Sequence, residues 1–317
     1  MKVRHDIHTH TLFSSCCYDP EATAAAYIEK AHELGHSVFG FSNHIWDENV
    51  PGASNWYKGQ TVGYGLEEKD AIPSDTHGIK VLFGTETEYC GMTNNLGMLA
   101  ETAKKFDYVL VPHSHTHQKN FVMAENPDVK AYRKALAAQI CKNLPGITEE
   151  QAQRMAATVK YQEALAAIKD PTVDDGEYLA DFLFTSFESL MAHPEFLKLA
   201  ATVPTLIAHP FHPCGESKEQ HFRVLGILLA QKDRLFDDFS TAARLNVGLD
   251  VNIGTYRMPE DYANDPMVAI MRIARDAGCK FGFGTDSHTL RGLENIRNGD
   301  AIGEAIGITE KDLAEII

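Results

Sequence analysis

Short apolar runs that each stop at a polar residue recur along the chain: Val3–His8, Ser37–Ser42, Lys80–Thr85, Tyr108–Pro112, Thr205–Ala208, Val247–Val251 and Phe281–Thr285. Runs of this length, bounded by turn signals, predict buried strands. Between them Pro20–Leu34, Asn95–Lys105, Ser217–Ala230 and Pro266–Ala277 carry helical spacing. The first has Pro at its start and Gly35 past its end, and Gly278 follows the last. That asymmetry marks helix termini. Strands alternating with helices predict a parallel α/β fold.

The pattern changes from about residue 126 to 201. Ala131–Lys142, Glu149–Lys169 and Glu177–Met191 are rich in Ala and Leu at helical spacing, with no strand run among them. This predicts a helical insertion in one loop, of the kind that often caps or gates a site. The 317 residues are read as one domain, 1–317, containing that insertion, because α/β barrels of about 250 residues or more are single units.

Composition narrows the function. Apolar residues make up 44% and charged residues 23%, which fits a globular chain without a disordered tail. The net charge of −15 disfavours nucleic-acid polymers, whose affinity comes from Lys and Arg replacing counterions. No interleaved basic and aromatic groove argues otherwise. Met1-Lys2-Val3-Arg4-His5-Asp6 has no apolar run behind its basic residues, and no stretch is long enough to span a bilayer, so a cytoplasmic protein with no membrane partner is expected. The six cysteines show no CxxC spacing, which argues against a zinc ribbon or a thioredoxin-like site.

The chemistry lies at the ends of the strand runs. His8 and His10 stand in Asp6-Ile7-His8-Thr9-His10-Thr11. Alternate strand residues share a face about 6–7 Å apart, so the two imidazoles can converge on one ion. His44 follows the second run, Glu86 the third and His209 the fifth, while Asp286 and His288 follow the last, which carries two glycines, Gly282 and Gly284. In a parallel barrel all strand C-termini open on one face. The fourth run ends in His113-Ser114-His115-Thr116-His117; all three imidazoles share a face if the strand continues, and His115 is favoured. Mixed nitrogen and oxygen donors suit two or three ions of zinc, manganese or iron better than magnesium.

This ordered set of HxH, a lone His, an acid, a His-rich strand end, His-Pro and Asp-x-His resembles the PHP superfamily, whose name joins polymerase and histidinol phosphatase. Within it the chain is most similar to stand-alone histidinol-phosphate phosphatases. The resemblance implies a distorted seven-stranded α/β barrel holding a trinuclear centre. His8, His10, Glu86 and Asp286 would hold the first metal, with Glu86 bridging to a second on His115 and His209. His44 and His288 would hold the third. That third site commonly takes a histidine six residues beyond the HxH, and Cys16 stands there instead. Two readings stay open: a thiolate that keeps the site, or a third site lost.

The implied reaction is hydrolysis of a small phosphate monoester, with histidinol phosphate the candidate substrate, by a hydroxide bridging the metals. Arg257, in Leu249-Asp250-Val251-Asn252-Ile253-Gly254-Thr255-Tyr256-Arg257, is the expected phosphate clamp because its planar fork matches phosphoryl oxygens. His113, His117 and His212 are candidates for protonating the leaving group. Trp46, Asp47, Trp56, Tyr57 and Tyr256 are candidate lining for the organic half. The rival readings are amidohydrolase-like cleavage of an amide or lactone, and a non-catalytic metal-binding module.

Overall fold

A computed structural model describes residues 1–317. Its strands are β1 (His5–Asp6), β2 (Val38–Phe41), β3 (Lys80–Phe83), β4 (Thr85–Glu86), β5 (Tyr89–Cys90), β6 (Asn95–Leu96), β7 (Val109–Pro112), β8 (Thr205–Ala208), β9 (Gly248–Asn252) and β10 (Phe281–Gly284). They form a parallel sheet β1-β2-β3, a second parallel sheet β10-β9-β8-β7-β4, and an antiparallel ribbon β5-β6. β7 and β8 read Val-Leu-Val-Pro and Thr-Leu-Ile-Ala and are buried throughout. Continuous burial without alternation is what a parallel strand covered on both faces requires.

The helices follow their caps. Ala24–Leu34 starts where the Thr23 hydroxyl accepts from Ala26 N and stops at Gly35, whose φ of 77° is left-handed. Ser217 caps Lys218–Ala230, and Asp265 caps Pro266–Asp276. Each cap satisfies backbone donors that the first turn leaves free. Val109, Ile207, Leu249 and Phe281 from the strands meet Phe187, Leu225, Phe239 and Ile270 from the helices in the main core.

The distorted seven-stranded barrel that the resemblance implied is not confirmed, because the strands form two separate parallel sheets and no closed barrel. The Lys80–Glu86 run divides at Gly84, where the Tyr108 ring lies 2.3 Å from the position a Cβ would take. The Tyr108 hydroxyl donates to the Ile7 and Phe41 carbonyls at 2.6 and 3.0 Å. That ring therefore wedges the strands apart while tying their backbones together. On the other side β1 is too short for a ladder with β10, and single bonds cross the seam: Ile7 N–H to the Phe283 carbonyl at 3.0 Å, Asp286 N–H to that of His8 at 2.7 Å, and His10 N–H to that of Ser287 at 2.9 Å.

Two further expectations change. Asn95–Lys105 is not one helix: Asn95 and Leu96 pair with Cys90 and Tyr89, and only Ala100–Ala103 is helical. The Trp46 ring sits 2.7 Å from the position of a Cβ on Gly97, so tertiary packing overrides the local spacing. Residues 126–201 are helical without a strand, as expected, over Pro127–Asn143, Glu149–Ala157, Tyr161–Ala167, Asp175–Ala192 and Pro194–Ala200. Yet Leu179, Leu183, Phe184, Phe187 and Leu190 of the fourth helix belong to the main core, so that part is no peripheral cap. No helix is long and apolar enough to cross a membrane.

Candidate metal centre

His8 and His10 follow β1, His44 follows β2, Glu86 ends β4, His115 lies past β7, His209 past β8, and Asp286 and His288 past β10. These strand ends open into one cavity of about 680 Å³, whose lining includes Cys16, His44, Glu86, His115, His209, Asp286 and His288. His8 and His10 are wholly buried, and each has a nitrogen within 4.8 Å of the other's and of an Asp286 oxygen. A second group within the same limit is His10, Cys16, His44 and His288. A third is His115, His209 and Cys214.

Glu86 is the hub. Its Oε2 lies 3.3 Å from both His8 Nε2 and His10 Nε2 and 3.4 Å from His44 Nδ1, whereas Oε1 lies 3.4 Å from His209 Nε2 and 3.9 Å from His115 Nε2. Asp286 Oδ1 stands 3.1 Å from His10 Nε2 and 3.5 Å from His8 Nε2. Two donors about 2.0–2.2 Å from a shared tetrahedral ion lie roughly 3.3–3.6 Å apart, so this spacing suits ligation. His10 Nε2, His44 Nδ1 and Glu86 Oε1 are buried with no hydrogen-bond partner. Orphaned donors and acceptors facing one another at these distances are what bound cations would satisfy, so the residues fit a divalent metal cluster.

The electrostatics agree. Burial pushes the Glu86 and Asp286 carboxyls up, but the surrounding imidazoles more than offset it and hold both well below the usual carboxylate range. Burial opposes charge on His8 as well, yet Asp286, Glu86 and Asp250 hold it well above an ordinary imidazole. Burial raises the Cys214 thiol, and His209 with the His117 hydrogen bond brings it down to about 6.

Several imidazoles are fixed from behind. His8 Nδ1 meets Asp250 Oδ2 at 2.8 Å, His115 Nδ1 meets Glu88 Oε2 at 2.7 Å, and His209 Nδ1 meets the Ser114 hydroxyl at 2.8 Å. Such partners set the tautomer and turn the other nitrogen toward the ion. His209 and Asp286 have φ of 31° and 53°. Non-glycine residues seldom adopt these angles, and such strain collects at functional sites.

Among the remaining expected residues, His117, His212 and Trp56 line the cavity. His113 does not: it packs on Phe187 and Phe211, and its Nε2 accepts from Phe211 N–H at 3.0 Å. Trp46, Asp47, Tyr57 and Tyr256 are buried away from the lining. Arg257 is not part of the lining; its Nε is buried and unpartnered. After burial and neighbouring imidazoles, the Arg257 charge is a further cause lowering His212. No residue of 126–201 lines the cavity, so the helical segment does not cap it. Tyr18, 85% exposed at the mouth, was not anticipated, and neither were Cys214, Asp250 and Glu88 in the roles their contacts give them. All six cysteines are unpaired.

No curated protein sequence matches this chain. Among solved structures, the histidinol phosphate phosphatase of Lactococcus lactis subsp. lactis Il1403, crystallised with zinc, L-histidinol and phosphate, is 15% identical. Its match covers 96% of this chain and 94% of its own, with a TM-score of 0.58. A Listeria monocytogenes protein bearing the name histidinol phosphatase is 12% identical over 91% of this chain and 97% of its own, with a TM-score of 0.53. At these identities the likeness establishes a shared mixed α/β fold with parallel sheets. The model of the PHP domain matches residues 6–179, over half of the chain, and with that match and the strand-end cluster of His, Glu and Asp in view, the chain belongs to the PHP family.

Proposed function

We propose that the protein is a metal-dependent phosphoesterase acting on a small phosphate monoester, with histidinol phosphate the first substrate to test. One observation carries the reading: Glu86 presents its two oxygens to two different sets of imidazoles inside one open cavity. His8, His10, Glu86 and Asp286 would hold one ion, Glu86, His115 and His209 a second, and His44, His288 and Cys16 a third. Bound zinc, manganese or iron supplies water activated near neutral pH and offsets phosphoryl charge. The bound structure of the Lactococcus lactis neighbour supports this choice of metal and substrate class.

The chain's own groups do the rest. Asp250, Glu88 and Ser114 keep His8, His115 and His209 turned inward. Arg257 stands outside the lining, with a buried, unpartnered Nε and a charge felt by the lining His212, and is the cation we assign to a phosphoryl oxygen once its side chain turns inward. His117 and His212 line the cavity and are placed to protonate the leaving alcohol, a role His113 loses by facing the core. Trp56 and Tyr18 at the mouth offer aromatic surface to the organic half. We read residues 1–317 as one unit with a helical insertion at about 126–201, and the free thiols fit a reducing, cytoplasmic setting.

The test is metal content by elemental analysis together with phosphate release from histidinol phosphate and a panel of small monoesters, for wild type and Arg257→Ala. Release from one substrate, reduced at least tenfold in the variant, is the expected result. Bound metal with no release from any ester would instead favour hydrolysis at a carbon centre or a non-catalytic module. Absence of bound metal under every loading condition would reject the reading.

A further inference from the structure

We propose that Cys214 is a thiolate ligand of the second metal site, so that the centre uses one sulfur at each of two sites and selects a thiophilic cation such as zinc. The inference rests on the metal-dependent reading above and deepens it.

Cys214 is buried and lines the cavity, and its sulfur lies within 4.8 Å of donor nitrogens of His115 and His209. Its sulfur lies 3.7 Å from His209 Nδ1, on the ring edge that also meets the Ser114 hydroxyl. A lone buried cysteine is usually a small hydrophobe, but this one has charged and orphaned company. Glu86 Oε1, 1% exposed and without a hydrogen-bond partner, lies 3.4 Å from His209 Nε2 and 3.9 Å from His115 Nε2. An acceptor left unpaired there suits a cation, and two imidazoles with one carboxylate leave room for a further donor beside the water that a catalytic ion keeps, since such sites can expand to five ligands.

The backbone is built to deliver the sulfur. His209 and Phe211 both adopt left-handed angles, with φ of 31° and 57°, which folds His209-Pro210-Phe211-His212-Pro213-Cys214 back on itself. Thr116 Oγ1 donates to the Cys214 carbonyl at 2.9 Å. Gly215, at φ 82°, lets the chain pass so close to His117 that a Cβ there would come within 2.6 Å of the His117 Cβ. Strain of this kind persists only where surrounding contacts enforce it, and here it holds Cys214 beside His209 in the cavity lining.

With Cys16 beside His10, His44 and His288, one thiol stands in each of two ligand groups. Soft donors favour zinc over manganese and magnesium. Neither sulfur replaces the shared carboxylate.

Cobalt(II) titration of the reduced, metal-stripped full chain under anaerobic conditions tests this, because each cobalt–thiolate bond gives a near-ultraviolet charge-transfer band independent of turnover. Wild type should saturate with about twice the band intensity of either Cys16→Ser or Cys214→Ser, and the double variant should lose the band. Zinc's affinity advantage over manganese should fall at least tenfold in Cys214→Ser. If Cys214→Ser fails to fold, Cys16→Ser alone decides, since the other four cysteines lie outside the ligand groups: a remaining band then comes from Cys214. A band undiminished in Cys214→Ser, or absent from Cys16→Ser, overturns the proposal. So does an unchanged zinc-to-manganese ratio. Both bands in a protein inert on every ester would reject the phosphoesterase reading alone, whereas ester hydrolysis without a band from Cys214 would reject this inference alone.

Discussion

At the scale of single residues, the centre depends as much on what stands behind each imidazole as on the imidazoles themselves. Asp250 touches His8 on the nitrogen away from Glu86, so removing its charge should leave the fold and loosen the ion. Asp250→Asn is expected to cost roughly 10–100-fold in metal affinity, read by competition with a chromogenic chelator; unchanged affinity would deny Asp250 this positioning role. Far from the centre, Asp238 is buried, with one oxygen unpartnered. Burial, with Glu188 adding to it, raises its carboxyl to about 7. A carboxyl raised in the folded state binds its proton more tightly there, so ionisation costs stability increasingly from its unfolded value up to about pH 7, above which the cost levels off. Asp238→Asn should therefore raise the melting temperature at pH 8, by an amount that shrinks below pH 7 and vanishes near pH 4. A constant difference across that range would be the contrary result. The gathering of His44, Glu86, His115, His209, Asp286 and His288 at one cavity was legible because strand ends advertise themselves: an apolar run that stops at His, Glu or Asp needs no tertiary knowledge. Cys214, Glu88 and Asp250 were hidden for the opposite reason. Cys214 reaches its place through left-handed turns at His209 and Phe211, and the carboxylates sit behind imidazoles that come from other strands.

Elements tell a similar story through their glycines. The Phe-Gly-Phe-Gly of β10 faces β1, and the two glycines admit different neighbours. A Cβ on Gly282 would meet the far end of the Ile7 side chain at 2.4 Å. One on Gly284 would meet His8 Cβ at 2.2 Å, Asp250 Oδ1 at 2.9 Å and the His8 backbone nitrogen at 3.1 Å. Ile7 can turn aside, but His8 cannot move without leaving Glu86. Gly282→Ala is thus expected to cost about 1–3 kcal/mol of stability with metal binding retained, and Gly284→Ala to lose metal as well; urea denaturation and elemental analysis separate the two, and equal metal content in both variants would contradict the assignment. Glycines inside a strand mark the close approach of another backbone or a ligand, and here the visitors are Ile7 and His8. The same pattern could not foretell that the sheet divides. Gly84 and Gly40 read as ordinary strand glycines until Tyr108, about 24 and 68 residues downstream, places its ring against both. Nor could the spacing of Asn95–Lys105 reveal the Trp46 ring pressing on Gly97, which turns an expected helix into a ribbon.

For the whole molecule, the match to the PHP domain ends at residue 179, yet His209, Asp286 and His288 enter the same cavity from strands beyond it. The fold therefore closes its chemistry only when both parallel sheets are in place, and metal binding and global stability should be linked. An ion that binds the folded chain and not the unfolded one stabilises it by RT ln(1 + [M]/Kd), about 2.7 kcal/mol at a hundredfold excess over Kd. For a chain of this size each kcal/mol moves the melting temperature by roughly 2 °C, so one occupied site should contribute about 5 °C and further sites more. Imidazole, carboxylate and thiol bind metal in their deprotonated forms, so protons compete with the ion. The sign follows: the stabilisation grows as pH rises and fades as it falls. Scanning calorimetry of zinc-loaded and chelator-treated protein should show a larger gap in melting temperature at pH 8 than at pH 6. If stripping the metal, verified by elemental analysis, left the transition where it was at both pH values, the centre would be an appendage to a fold that stands without it, and the strained angles at His209 and Asp286 would need a support other than the ion.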